Sequence, residues 1–498
     1  MMMVGLGAPI VHAQAPPPLP PTIPLSPTVV GREVLDQRTA PQGKSEVTVE
    51  TPGVLKVPPE LLGRQVEFHH ILVEGATAYT SGNFVPFFAP VLNRRVAFSE
   101  IVAAANKLSA LYERDGYVFY AVMLPQQDLD GDTLHVVVIE GSISAIDIDK
   151  DIVSEAVRRR IGDLLAPLRG RHPLRRADLE RQLLLAADTP GVTLQASAKA
   201  TDNPAEVTLV VKGTFERFQP IGQVDSLQTS PDAQMNFRVG VLERSLLTGG
   251  DQLEARYLFS LPWDRLQLFD LRYGLPVGTD GGRLSFLAQA VWQRPVFTVN
   301  GQAVDFVGRS LLGRVQYAYP LVRSLKWTVS VFGMFDVIET DYTLAGLGIP
   351  GDALRVTRAG LSTQFKDDWK GMWNASVLAS LGLDAAGAMA NNRAGAGPSF
   401  AKINLSLERA QPIGKDFALV VRAAAQETTG TVPAAEVFSF GGRDFGRAFF
   451  VAEAVSDRGP RCQPNCAMRS TGWVFRATRL PLTSTSSPTT AGSRPSTR

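Results

Sequence analysis

The sequence predicts an α+β half followed by an all-β half: two tandem β-α-α-β-β modules, then an antiparallel transmembrane β-barrel. Three observations predict it. The order strand, helix, helix, strand, strand occurs twice between residues 66 and 213 with little identity between the copies, and recurrence at about seventy residues reads as two small modules. From Phe215 onward the helical period gives way to two-residue alternation, in segments of about 10 to 15 residues that suit tilted membrane strands better than the roughly 5 to 6 of a soluble sandwich. Finally, no apolar run approaches the roughly 20 residues of a spanning helix. With 44 Gly and 45% hydrophobic residues in 498 positions, that leaves a soluble globular protein or a membrane barrel.

Charge and chemistry exclude several classes. A net charge of +2 gives no pull toward nucleic acid. Only five His are present, and no Ser-His-Asp, metal-site or phosphate-loop spacing appears. The reading is therefore no enzyme, no catalytic residue, no metal and no cofactor. Asp128, Asp130 and Asp132 invite a calcium loop, but the closing Glu is missing and a hairpin turn is the better account. His69 and His70 lie on the first module's strand as structural residues.

The N-terminal residues 1–15 look like the remnant of a secretory signal, with Ala13-Gln14-Ala15 as a small-x-small cleavage site. Residues 16–65 are rich in Pro with Thr, Ser and Gln and read as linker. Val29 to Arg38 could form a short helix there, but ten residues without a strong cap favour plain linker.

The first module, residues 66–142, takes a strand over 66–75, helices over 81–92 and 98–115, and strands over 118–125 and 133–140. Ser99 is expected to cap the second helix, whose Ile101, Ala104, Ala105, Leu108, Leu111 and Tyr112 share one face. The second module, residues 143–213, repeats the order with a strand over 143–148, helices over 152–165 and 175–187, and strands over 192–200 and 205–212. A basic cluster on it, Arg158, Arg159, Arg160, Arg169, Arg171, Arg175 and Arg176, reads as a solvated face, with lipid head groups or an acidic partner as the alternative.

In the barrel region, residues 214–437, Leu253, Ala255, Tyr257 and Phe259 oppose Gln252, Glu254, Arg256 and Ser260, the dyad of a wall with lipid outside and a polar lumen inside. About eleven such segments precede Thr428. Tyr317, Tyr319, Trp327, Trp369 and Trp373 fall near strand ends as an aromatic girdle would. The stretch 438–459, FSFGGRDFGRAFFVAEAVSDRG, then breaks the alternation: Arg443 and Arg447 stand among Phe438, Phe440, Phe445, Phe449 and Phe450, with Gly441, Gly442 and Gly446 for tight turns. Guanidinium groups among rings point to a lumenal anchor.

This stretch resembles the signature of the outer-membrane translocators of two-partner secretion, the haemolysin secretion and activation family. Their lumenal loop carries Val-Arg-Gly-aromatic and then Ser-Gly-Asp-x-Gly. Here Arg447, Phe449 and Asp457 match, while Gly446, Ala448 and Val455-Ser456 depart from the small-residue pattern. The resemblance makes the two modules POTRA domains and residues 29–38 a candidate plug helix. It implies a barrel of sixteen strands with the loop after the eleventh. It assigns the loop anchor to Arg447, Phe449, Asp457, Gly441, Gly442 and Arg443, with Arg447 paired to a barrel-wall Asp. The implied function is secretion of an unfolded, β-rich exoprotein, haemolysin-like or filamentous-adhesin-like, from a Gram-negative outer membrane with the POTRA domains in the periplasm. Outer-membrane lipid and the barrel-assembly machinery are the other implied partners. A barrel-assembly factor and a passive porin are the rivals.

Residues 460–498 turn to Pro, Ser, Thr and Arg, hold both Cys462 and Cys466, and read as an aberrant tail, disordered or frameshifted. Back-translation in another frame admits LSAQLRYALDG over 462–472 and LYFFADHGRV over 483–493, the latter with a Phe-x-Asp-x-Gly motif. On this reading the barrel is incomplete and the wall Asp is missing.

Overall fold

The computed structural model describes residues 26–35, 45–48, 58–226, 235–295, 297–299, 302–414, 417–442, 444–446 and 449–468. Residues 1–15, Arg443, Arg447 and everything after 468 lie outside the described residues.

In the first module His70–Glu74 pairs in parallel with Thr133–Glu140, which pairs antiparallel with Tyr120–Met123. Helices Ser81–Phe88 and Phe98–Arg114 pack on this sheet, and Ile101, Ala104, Ala105, Leu108 and Tyr112 are buried at the expected helical spacing. The cap differs from the expectation: Ala97 is the N-cap residue, without a side-chain bond, and Ser99 lies inside the first turn. The three aspartates are spent on the hairpin. Asp128 accepts from the amide of Asp130 (3.0 Å), Asp130 meets Arg64 (2.9 Å) and Asp132 meets His69 Nδ1 (2.7 Å).

The second module repeats the arrangement, Ser142–Ile148 lying parallel to Glu206–Phe215 and that strand antiparallel to Val192–Ala200. Ser154 caps Glu155–Leu165, and Arg176–Ala187 packs beside it.

The expected strand 118–125 is broken at Phe119, which adopts φ 57°. The break has a use: Tyr117–Val118 pairs with Leu174–Arg175, and Val118 enters the core of the second module. The guanidinium of Arg175 lies 5.5 Å from the Tyr117 ring centre, so this member of the basic cluster ties the modules together. Arg160 donates to Gly278 O (2.6 Å) at a barrel turn, whereas Arg159 forms an exposed pair with Glu155. Arg323 forks onto Asp188 (2.7 and 2.8 Å), and Arg181 reaches Pro320 O (3.1 Å). The second module is thus bolted to the barrel's near end.

The barrel is a 13-stranded antiparallel sheet. Eleven strands run in chain order from Phe218–Asp225 to Phe417–Thr428, Gly459–Met468 follows, and short Leu347–Ile349 pairs off the main path. The longest, Phe306–Arg323 and Trp327–Leu344, have 18 residues each. Among the described residues the two outermost strands of the path do not pair with each other. Leu361, Leu405 and Leu407 lie exposed on the outer face while Asp270, Asp336 and Lys402 are buried on the inner one, as expected where lipid lies outside and polar groups inside. Trp327, Phe365 and Trp373 stand in register across three strands at the near end, and Arg409 lies over Trp373 (4.8 Å) and Trp369 (5.3 Å).

Two expectations are corrected here. Residues 460–468, assigned to the aberrant tail, pair along Phe417–Thr428 from Gly459 opposite Gln426 to Met468 opposite Phe417. Pro460 and Pro464 obscured the strand; among the described residues it is the outermost of the sheet, the position where a proline, which has no N–H to donate, is tolerated. Residues 27–35 are not plain linker. They form helix α1, Pro27–Leu35, with Val29 and Val30 fully buried. Alone, nine residues would not hold a helix. An apolar seat inside the sheet, made by Leu258, Leu266, Leu268, Val291, Ile338, Leu354 and Val356, stabilises it. Farther along the linker, strand β1, Ser45–Thr48, adds in parallel to the free edge of Val192–Ala200.

Candidate functional site: the occupied lumen

Three things converge inside the sheet: its inward polar rows, helix α1 and the segment returning after Thr428. The inward rows are charged because alternation places every second residue there and no lipid contacts it. Arg256 donates to Asp270 (2.7 Å), both fully buried. Arg314 forks onto Asp336 (2.6 and 2.8 Å), whose second oxygen also accepts from Arg358 Nε (2.8 Å). Buried charges of this kind persist only when paired.

After Thr428 the chain turns inward and forms a short helical turn, Ala434–Glu436. Glu436 is 1% exposed and meets two wall cations: Arg358 through Nη2 (2.6 Å) and Nη1 (3.1 Å), and Lys402 Nζ (2.6 Å). Its backbone carbonyl accepts from Lys402 Nζ (2.9 Å) and Gln426 Nε2 (3.1 Å). Strands Phe438–Phe440 and Ala454–Ser456 then pair as a hairpin, closing the loop.

The residues singled out in the sequence are only partly brought together. Gly441 and Gly442 have φ 112° and 106°, and a Cβ on Gly441 would sit 2.1 Å from Phe450 O, so only glycine serves there. Phe449 is half exposed and meets Phe440 edge-on at 5.5 Å. Asp457 sits where the loop returns, accepting from Arg393 (2.5 and 3.1 Å) and from the amide of Val432 (2.9 Å). Arg443 and Arg447 lie outside the described residues.

Two carboxylates of the returning segment, Glu436 and Asp457, meet cations of the wall and of the 383–399 connection, a polarity opposite to the one expected of Arg447, while Arg458 of the loop meets Glu427 of the wall (3.2 Å) in the expected sense. One contact has the expected sense from the other direction. The Arg461 guanidinium, on the strand misread as tail, lies over the rings of Phe445 (4.1 Å) and Phe438 (4.7 Å).

Sequence reasoning missed Glu436, Arg358, Lys402 and Asp336. A lone Glu between Ala435 and Val437, directly before the aromatic stretch, is no motif. A signal for α1 was present: Leu258, Leu266, Leu268, Ile338, Leu354 and Val356 are apolar at inward positions, and such breaks in the dyad mark a lumen with an apolar occupant.

Helix α1 completes the filling. Thr28 Oγ1 lies 2.6 Å from Ser310 Oγ on the wall, and Arg32 donates to Val437 O (3.1 Å) on the returning segment. Val29 and Val30 share one core with Val432, Ala435, Val437, Val451 and Ala452. All of these links are non-covalent.

Residues 66–141 match the ShlB-type POTRA domain, and residues 251–466 match the haemolysin secretion/activation protein family ShlB/FhaC/HecB. The outer membrane transporter CdiB of Escherichia coli is 34% identical over 76 residues, 15% of this chain and 13% of that protein. The heme/hemopexin transporter protein HuxB of Haemophilus influenzae (strain 86-028NP) is 22% identical over 171 residues, 34% of this chain and 30% of that protein. Those matches thus span less than a third of either relative. The solved CdiB from Escherichia coli superposes with a TM-score of 0.69 at 17% identity, covering 90% of this chain and 84% of that one. CdiB from Acinetobacter baumannii gives 0.58 at 15% identity, covering 86% and 82%. At such identities the superpositions speak for the fold.

Proposed function

We propose that this chain, which belongs to the haemolysin secretion/activation family of ShlB, FhaC and HecB, secretes an unfolded, β-rich exoprotein across the outer membrane. Members of the family are transporters, not enzymes, and they reside in the outer membrane with POTRA domains in the periplasm.

The observation that carries the reading is the pairing of β1 with the second module. Ser45–Thr48 lies on the outer edge of Val192–Ala200, bonded through backbone and therefore indifferent to side-chain sequence. Tyr120–Met123 holds the same place in the first module, and among the described residues its outer edge carries no strand. An unfolded, β-prone client adds there as β1 does on its neighbour, and reaches the second edge when β1 leaves. Displacement of α1 then opens the lumen. No bond is made or broken, and the periplasm supplies no nucleotide. Folding of the client outside and progressive strand pairing drive the transfer.

The test is co-expression with a β-rich, repeat-containing candidate exoprotein from the same genome, in a host lacking other such transporters. Client in the medium supports the reading. Retention in the periplasm while the barrel sits in the outer membrane refutes it. Loss of unrelated outer-membrane proteins on deletion would indicate an assembly factor, and passage of small solutes alone a porin.

A further inference from the structure

We infer that Glu436 positions the plug: it holds the returning segment 430–437 against the barrel wall, and that segment is a face of the seat on which α1 rests. The inference stands on three contacts lying in series. Helix α1 joins the segment through Arg32 to Val437 O (3.1 Å) and through Val29 and Val30 against Val432, Ala435 and Val437. The segment joins the wall through the Glu436 carboxylate, at 2.6 Å from both Arg358 and Lys402. The wall cations are themselves arranged around that carboxylate, because Asp336 already serves Arg314 and Arg358.

Charge decides what happens without it. Arg314, Arg358 and Lys402 face Glu436 and Asp336, so neutralising Glu436 leaves three cations against one carboxylate. Arg358 keeps Asp336. Lys402 is 7% exposed and keeps only the carbonyl of residue 436 and Gln426 Oε1 (3.4 Å) among its described contacts. A buried ammonium without a counter-charge draws in water, and water enters where the segment was packed. The segment loosens, and α1 loses part of its seat.

Plug and returning segment therefore leave together. Glu436 itself precedes the sequence motif of the loop.

The experiment measures plug occupancy, so its failure leaves the proposed function standing. Thr28→Cys and Ser310→Cys, whose native oxygens are 2.6 Å apart, are introduced into the full chain with Cys462→Ser and Cys466→Ser. Disulfide formation is timed in outer membranes. Adding Glu436→Gln is expected to slow it at least about fivefold, and adding Lys402→Gln on top is expected to restore the rate to within about twofold. A residue that merely fills space would not be rescued by deleting its own partner. Unchanged rate in Glu436→Gln, or a double variant no faster than the single, overturns the inference. Should Glu436→Gln fail to insert, Arg32→Ala, which leaves the wall ions intact, must still slow the reaction, and a rate equal to the parent's overturns it as well.

Discussion

Glu140 ends the central strand of the first module, and its replacement by Gln tests whether one carboxylate fixes the loop between that module's first strand and first helix. The carboxylate accepts from the amides of Thr77 and Ala78 (2.9 Å each), from Thr77 Oγ1 and from Tyr112 Oη (2.7 Å). Burial alone would raise its pKa, but these four donors outweigh burial and hold it below the ordinary carboxylate range. A hydrogen bond to a charged acceptor contributes about 1.5 to 3 kcal/mol, and an amide oxygen accepts from fewer donors and presents an N–H₂ group to the rest. Because the site is partly open to water, we take the low end, about 2 kcal/mol, or roughly a 30-fold rise in local opening. Hydrogen exchange at the Thr77 and Ala78 amides of the full chain reads this directly. The pH dependence has a definite sign. A folded pKa below the unfolded value of about 4.3 means the unfolded state takes up the proton first, so the stabilisation is present above about pH 4.3 and is lost as pH falls through the folded value. In Glu140→Gln that acid loss disappears. Equal exchange in both proteins at neutral pH would refute the reasoning.

Val30→Ala removes two buried methyl groups from α1, costing about 2 kcal/mol and raising the undocked population roughly 30-fold; single-channel recording in planar bilayers should show correspondingly more open time. Asp188→Asn breaks the fork to the buried Arg323, and faster proteolysis between the second module and the barrel is expected, by about tenfold for a loss of roughly 1.4 kcal/mol. Arg447→Ala, at the position the family resemblance assigns to the loop anchor, is expected to lower client secretion while leaving the barrel inserted; undiminished secretion would remove that role.

Patterns with a short period were legible. The helix face from Ile101 to Tyr112 is written every three or four residues, and the strand from Gln252 to Leu261 every two, because each element repeats its exposure along its own axis. Single contacts between distant segments were not. Nothing local to Glu436 says that Arg358 and Lys402 will meet it, and Pro460 with Pro464 masked a strand whose acceptability depends on being at an edge. Ser99 looked like a cap because caps are read from residue type, while the helix began at Phe98, where the preceding strand delivers the chain.

By itself the sequence determined the two repeated modules, the alternation of a wall between lipid and polar lumen, and the glycine-rich stretch that must leave that wall, since each follows from local periodicity and backbone preference. Only tertiary structure decided that Pro27–Leu35 is a helix, that Ser45–Thr48 completes a module's edge, and that Glu436 closes the ion cluster. A nine-residue helix, a four-residue strand and a buried carboxylate are each unfavourable alone, and exist because distant residues supply the seat, the ladder and the counter-charges.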